Sequence, residues 1–308
     1  MDLKRLQILR ELADRGTIAA TAIALNVTPS AVSQQLKVLQ EEVGIELVER
    51  TGRRVRLTEA GVAMAAASAD LSAAMERVKS TVDIYRRGWQ TEIRGAFFPS
   101  SAEMLLPGLL TRIVELDGVK VEAVLEDPSM RDFPPLTADY DFVLAHSIEG
   151  VDMFIQPGIV VVPLMQEPLD IAMPAGHLLT SKDVVTPEDV VDYPWVGVAR
   201  GFPLDTVLSQ IEVRAGRLAT RIQQYPDLRV MEALVAAGHG LAMLPRYTAR
   251  GHISEKLELR ELTGVRAHRS IAVLMRKDVS ERTSVRRVVE MLQAEAEAIV
   301  TGAGESVT

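Results

Sequence analysis

Over the first 58 residues, apolar positions recur at steps of three and four and then give way to two short strand-like runs. Leu6, Leu9, Leu12 and Ala13 make one buried face of a first helix. Gly16 and Thr17 break that pattern. Thr17 can cap a second helix over 18–25, where Ala19, Ala20, Ala22 and Ala24 let a neighbouring helix come close. Asn26 and Val27 form a turn. Thr28 has the side chain of an N-cap, and Pro29 suits the first helical position, where no N–H is needed. The third helix runs over about 29–43, with Val32, Leu36, Leu39 and Val43 inward and Ser30, Ser33, Gln34 and Lys37 on the opposite side. Segments 47–50 and 55–57 have strand character around a turn at 51–54, which makes a two-stranded wing.

Beyond the wing, 59–87 contains no proline, and its one glycine is Gly61, near the start. Met64, Leu71, Met75, Val78, Val82 and Tyr85 fall mostly at alternating steps of four and three, with Ala67 or Ser68 filling the gap after Met64. A helix of ~28 residues reaches ~42 Å, too long for the small head to cover. It reads as a dimerisation helix, with a core helix lying on its own domain as the competing reading. From 91 onward strands alternate with helices. Strands are expected at 93–98, 120–125 and 141–145, with a helix at 102–116, and connecting strands at 160–163 and 168–173. A second unit follows, with a strand at 193–198, helices near 204–213 and 228–238, and a strand at 241–244. A strand at 270–275 and a helix over 280–300 close the chain. The fold class is therefore α/β overall: an all-α winged helix-turn-helix, a long linker helix, and an α/β domain with largely parallel pairing.

Composition adds bounds. The 308 residues allow two domains, and 47% hydrophobic with 25% charged residues is ordinary for a globular protein. The absence of cysteine excludes disulfides and cysteine-based metal sites. The chain enters an amphipathic helix at once, without the apolar core of a signal peptide, and no apolar run reaches the ~18 residues of a membrane span. A cytoplasmic location is expected. The net charge of −8 is unevenly spread: residues 1–58 hold nine basic against seven acidic residues, and the remainder holds 25 against 35. The acidic body would repel a phosphate backbone, so DNA should meet only the head.

On the head, Gln34 has the donor and acceptor pair that reads adenine in a major groove, while Ser30, Ser33 and Lys37 suit the backbone. Arg50, Arg53, Arg54 and Arg56 fall within seven residues at the wing. Alone they would read as a solvated hairpin. Directly after a helix-turn-helix they read as phosphate or minor-groove contacts.

The stretch 6–61 resembles the N-terminal domain of LysR-type transcriptional regulators. The resemblance rests on Gly16-Thr17 with Ala19-Ala20, the continuous run from residue 25 to 39, Val43-Gly44, Leu47-Val48-Glu49-Arg50, and Leu57-Thr58-Glu59-Ala60-Gly61. The family usually has an aromatic where Val48 stands and an acid where Gln40 stands; neither change removes a DNA-facing residue. The resemblance implies a DNA-contacting set of Thr28, Ser30, Ser33, Gln34, Lys37, Arg50, Arg53 and Arg54. It also implies that the long helix pairs two subunits, giving a homodimer that assembles to a homotetramer. Two paired heads on a palindromic site multiply affinity through effective concentration.

The rest of the chain is similar to the effector domain of the same family, a two-lobed fold like that of periplasmic solute-binding proteins. Its best local matches are 105–110 and 235–245, while 126–138, with three prolines, departs from the pattern. The implied division is 1–58 for the DNA-binding domain, 59–90 for the linker helix and 91–308 for the effector-binding domain. Lobe one would comprise 91–163 and 268–301, and lobe two 164–267. The implied partners are double-stranded promoter DNA, RNA polymerase and a small-molecule effector in the interlobe cleft. Effector contacts are expected from Ser100, Ser101, His146, Gly201, Phe202 and His239. Each has a plainer reading. Ser100-x-x-Glu103 fits a capping box, a lone His146 fits a solvated or satisfied loop residue, and Gly238-His239-Gly240 fits a helix end.

The five histidines show no metal-binding spacing, and no nucleophile elbow, phosphate loop or dinucleotide fingerprint sits at a strand-to-helix turn. No metal, cofactor or catalytic residue is expected. The alternative, a solute-binding or enzymatic α/β domain with an accessory DNA-binding head, rests on fold alone.

Overall fold

The computed structural model describes residues 2–51, 54–83, 91–116, 118–200, 202–250 and 255–305. The head comprises α1 (Leu3–Arg15), α2 (Ile18–Ala24), α3 (Pro29–Val43) and the wing strands β1 (Val48–Thr51) and β2 (Arg54–Leu57). Leu6, Leu9, Leu12, Val32, Leu36 and Leu39 close its core, as their spacing predicts. The expected caps form: Thr17 accepts from Ala20 N at 3.1 Å and Thr28 from Ala31 N at 3.2 Å. Asn26, at the turn, has a φ of 52°, a left-handed conformation that asparagine tolerates. The wing is antiparallel, with Arg50 opposite Val55 and Thr51 opposite Arg54.

The long helix α4 (Glu59–Asp83) leaves the wing at a tight crossing. A Cβ on Gly61 would lie 2.0 Å from Leu47 O, so only glycine lets α4 approach the wing there. Thr58 fastens the crossing by donating from N to Leu47 O at 3.0 Å and from Oγ1 to Glu46 O at 2.8 Å. Of the anticipated seam, Met64 packs into the head core, while Leu71, Met75, Val78 and Val82 are exposed. Tyr85, and the helix's expected continuation to 87, lie outside the described residues.

The remaining elements are, in order, β3 (Thr91–Phe97), α5 (Pro99–Ile113), β4 (Val119–Leu125), α6 (Phe133–Leu136), β5 (Phe142–Ser147), β6 (Ile159–Pro174), β7 (Val184–Val185), α7 (Pro187–Val190), β8 (Pro194–Gly197), α8 (Pro203–Ala215), β9 (Thr220–Gln224), α9 (Leu228–Ala236), β10 (Ala242–Pro245), α10 (Arg246–Arg250), β11 (Leu257–Leu262), β12 (His268–Arg276) and α11 (Thr283–Glu305). Strand order is β4-β3-β5-β12-β6-β11-β7, with β10 also on β6 and a separate β8-β9 pair.

Two findings correct the sequence reading. The segments 160–163 and 168–173 are one strand, β6, whose first half pairs with β12 and whose second half pairs with β10 and β11. The pairing is mixed rather than largely parallel. β3-β4, β3-β5, β11-β7 and β8-β9 are parallel, but every ladder to β6 runs antiparallel, as does β12-β5. The cause is β6 itself: it carries the chain from one lobe into the other, and β12 returns beside it.

Each lobe has its own core. In lobe one, Phe97, Phe98, Phe133, Phe142 and Phe154 are essentially inaccessible beneath α5 and α11, each contributing roughly 1.5–3 kcal/mol by burial. In lobe two, Trp195 is buried among Ile171, Leu208, Ile211 and Met243, and its indole N–H donates to Val190 O at 3.2 Å. The head docks on lobe one through charge. Arg10 donates to Asp278 at 2.5 Å, Arg276 to Glu11 at 2.7 Å, and Arg15 to Asp139 and Ala138 O at 2.8 Å each. No helix among the described residues is long and apolar enough to cross a membrane.

Candidate nucleic-acid interface and interlobe cleft

On α3, burial of Val32, Leu36 and Leu39 turns the opposite face to solvent. Thr28, Ser30, Ser33, Gln34 and Lys37 are all exposed there. Their engagements within the protein are local. Thr28 caps the helix and its hydroxyl lies 3.0 Å from that of Ser30, Ser33 donates to Pro29 O at 3.0 Å, and Lys37 lies 3.7 Å from Glu41 one turn on. Gln40, set apart by the family pattern, proves structural: its Oε1 accepts from Leu47 N at 2.8 Å and Val48 N at 2.9 Å, anchoring the wing to α3. Val48 is half-buried against the head core, so a small apolar residue suffices there. Arg53 lies outside the described residues, as do the side chains of Arg50 and Arg54.

A cleft of 360 Å³ opens between the lobes, within the size range of small-ligand sites. Two helices begin at it in the same way. Phe98-Pro99 starts α5 and Phe202-Pro203 starts α8, each with proline in the first turn and no side-chain cap. Uncapped first-turn N–H groups suit an acceptor. Phe98, Ser100, His146, Phe202 and Arg269 line the cleft.

Arg269 lines the cleft and is backed by Glu167. Arg269 is 4% exposed and Glu167 is fully buried, with Nη2–Oε2 at 2.6 Å and Nε–Oε2 at 2.9 Å. Glu167 also accepts from Tyr247 N at 3.0 Å and Thr248 N at 3.2 Å, while Arg269 Nη2 donates to Ser100 Oγ at 2.9 Å and its guanidinium lies over the Phe98 ring. A chain of polar contacts thus runs from lobe two through the crossover strands to the start of α5. At the mouth, Arg229 of α9 pairs with Glu103 of α5 across the lobes, and with Glu232 at 2.8 Å.

His146 is buried against Phe98 and Phe133, at ring centroid distances of 4.4 and 5.4 Å. Burial pushes its imidazole below the usual histidine range, a trend that Asp127, 3.9 Å from Nε2, only partly opposes. It is therefore no solvated loop residue, and it is neutral at pH 7.

Other expected contacts fall elsewhere. Ser101 is inaccessible, and its hydroxyl donates to Phe98 O at 2.8 Å. His239 is exposed past the end of α9, its N–H bonded to Leu234 O at 3.1 Å, and it does not line the cleft. Gly201 lies outside the described residues. The capping box at Ser100 is absent: Pro99 moves the helix start forward, Phe98 takes the N-cap position, and Glu103 turns to Arg229. Sequence reasoning missed Phe98, Asp127, Arg229 and Arg269. The repeated Phe-Pro dipeptide was the one available signal. Nothing in spacing pairs Arg269 with Glu167, which is 102 residues away.

The comparisons with known proteins agree with this architecture. The model of bacterial regulatory helix-turn-helix proteins of the lysR family matches residues 3–62, and the LysR substrate binding domain matches 86–297. The HTH-type transcriptional regulator AlsR of Bacillus subtilis is 27% identical over 286 residues, covering 90% of this chain and 91% of AlsR. Full-length OxyR from Pseudomonas aeruginosa is similar in structure, with a TM-score of 0.63 at 20% identity, over 96% of this chain and 94% of that one. Full-length CbnR, a LysR family regulator solved in complex with its target DNA, gives a TM-score of 0.52 at 21% identity, over 96% of this chain and all (100%) of that one. From the helix-turn-helix head to the two-lobed domain, this chain belongs to the LysR family of DNA-binding transcriptional regulators.

Proposed function

We propose that the chain regulates transcription by coupling occupancy of the interlobe cleft to the placement of its head on promoter DNA. The observation carrying this reading is the polar face of α3, where Ser30, Ser33, Gln34 and Lys37 are exposed together beside the wing. Gln34 reads a base edge, while Ser30, Ser33 and Lys37, with the cap residue Thr28, hold the backbone. Arg50, Arg53 and Arg54 of the wing contact phosphates or the minor groove. The head is 1–58, the linker helix 59–90, and the effector domain 91–308 with lobes at 91–163 plus 268–301 and at 164–267. Ser100, His146 and Phe202 contact the effector, with Gly201 beside Phe202.

The exposed stripe of Leu71, Met75, Val78 and Val82, between 40% and 68% accessible, supports pairing of α4 with a second copy. The protein then acts in the cytoplasm as a homodimer-based tetramer, with RNA polymerase as a further partner and no catalytic step of its own. A ligand shifts the lobes only by its differential affinity for their two arrangements.

Fluorescence anisotropy on the intergenic DNA beside this gene tests the reading. Tight binding that weakens steeply with salt and falls in the Arg53→Ala, Arg54→Ala double variant is expected. Equal affinity for that fragment and for competitor DNA would overturn it.

A further inference from the structure

The cleft is lined by groups of both charges, which narrows what it can hold. Arg269 supplies the cation. Glu167 takes its Nε and Nη2, and Ser100 shares Nη2, whereas Nη1 has no protein partner among the described residues. Arg269 is 4% exposed yet lines the cleft, so a ligand acceptor there finds a desolvated donor held by its neighbours. The uncapped start of α5, at Ser100, adds to the same end.

Asp127 supplies the anion. It lines the same cleft with its side chain 39% exposed, and no arginine or lysine pairs with it among the described residues. Its neighbour His146 is kept neutral by burial and leaves that charge uncompensated. Arg229, the other arginine of the lining, is already paired with Glu103 and Glu232, and Asp227 lies two residues before it, so a second anionic group on a ligand would meet an engaged guanidinium among carboxylates. Much of the remaining wall is apolar, with Val198, Phe202, Leu204 and Leu228.

Building on the reading of the cleft as the effector site, we propose that it takes a small zwitterion with an apolar body. This is the class of an apolar α-amino acid, with its carboxylate on Arg269 and Ser100, its ammonium on Asp127, and its side chain on the apolar wall. A plain carboxylate would leave Asp127 without a cation, and a plain amine would leave Arg269 Nη1, beside the nitrogens that Glu167 and Ser100 already hold, without an acceptor.

Thermal melting of the full-length protein with L-leucine, L-valine, L-methionine or L-phenylalanine tests this, with 4-methylpentanoate and 3-methylbutylamine as the two half-ligands. At least one amino acid should raise the melting temperature where neither half-ligand does at equal concentration. Asp127→Asn, a change at a partly exposed side chain, should weaken that ligand about tenfold by removing a charge-assisted contact. The proposal fails if no amino acid raises the melting temperature, if 4-methylpentanoate matches L-leucine, or if Asp127→Asn leaves affinity unchanged. Phe202→Asp separates the two readings. Loss of binding in Phe202→Asp but not in Asp127→Asn keeps the cleft and removes the zwitterion. Binding untouched by Phe202→Asp places the ligand elsewhere and removes both.

Discussion

Arg276, the last residue of β12, donates to Glu11 of α1 at 2.7 Å. The same strand begins at His268, next to Arg269 in the lining of the cleft. One strand therefore joins the interlobe cleft to the docked head. Arg276 lies 3.5 Å from Asp14 and 3.4 Å from Asp278, where its Nε faces the carboxylate without a formed hydrogen bond. Three carboxylates thus share Arg276 and Arg10. Arg276→Ala should lower unfolding stability by about 3 kcal/mol, because it strands the largely buried carboxylates of Glu11 and Asp278. Urea unfolding at neutral pH measures this. A loss below about 1 kcal/mol would mean that the dock is loosely hydrated and adds little.

Within that cluster, two aspartates respond oppositely to pH. Burial pushes Asp278 up, but the hydrogen bond from Arg10 and the charges of Arg276 and Arg10 outweigh it and hold the carboxyl below its usual 3.8. Its stabilisation is complete above that value and is lost as pH falls through the lower, folded-state value. Asp14 is raised above 3.8, chiefly by burial, against the pull of Arg276 and Arg10. The folded state prefers its protonated form, so Asp14 costs stability as pH rises from 3.8 through the raised value, and the cost persists at neutrality. At pH 7, Asp278→Asn should destabilise the protein and Asp14→Asn should stabilise it. Urea midpoints that move in the same direction for both would refute the assignment.

What the sequence made legible was local. Thr17, Thr28 and Pro29 act on the residues beside them, so the starts of α2 and α3 could be read directly. The α3 stripe could be read from its period alone. Strand β6 could not, because Pro163 and Pro168 interrupt its apolar run. Pro163 is tolerated because the ladder to β12 bulges at Leu164, where Met165 pairs with Ile271 and Pro163 with Ala272, and Pro168 because it stands opposite His268 at the end of that ladder. The polar strand β9, Thr220–Gln224, reads as a loop because it lies in a two-stranded pair with β8 and is mostly exposed. In the cleft, Ser100, His146 and Phe202 could be named only through the family resemblance, which places contacts at strand and helix ends; all three line it. The Arg269–Glu167 pair arises only when β12 returns beside β6.

That pair gives a test of how charge is held at the crossover. Glu167→Gln keeps an acceptor for Tyr247 N and Thr248 N but leaves the Arg269 guanidinium buried without a counter-charge. A loss of about 3 kcal/mol is expected. Adding Arg269→Met removes the stranded charge, so the double variant should be more stable than Glu167→Gln alone. Thermal unfolding of the four proteins closes the cycle. If the two losses simply add, the pair is not a coupled unit.

The last expectation separates base reading from backbone holding on α3. Gln34 is exposed at the middle of the polar face, and its amide can both donate to and accept from one adenine edge. Gln34→Ala should cost about 1–3 kcal/mol on the cognate site and flatten the preference at one base position. Lys37 is 76% exposed and only loosely tied to Glu41 at 3.7 Å, a contact too weak to hold it back from a phosphate. Lys37→Ala should weaken all sites about equally and make the slope of log affinity against log salt shallower by about 0.9. Titrations against a set of single-base operator variants at several salt concentrations distinguish the two. Should Gln34→Ala behave like Lys37→Ala, uniform across sequences and visible in the salt slope, the recognition helix is turned differently in the groove and the base-reading role belongs to another residue.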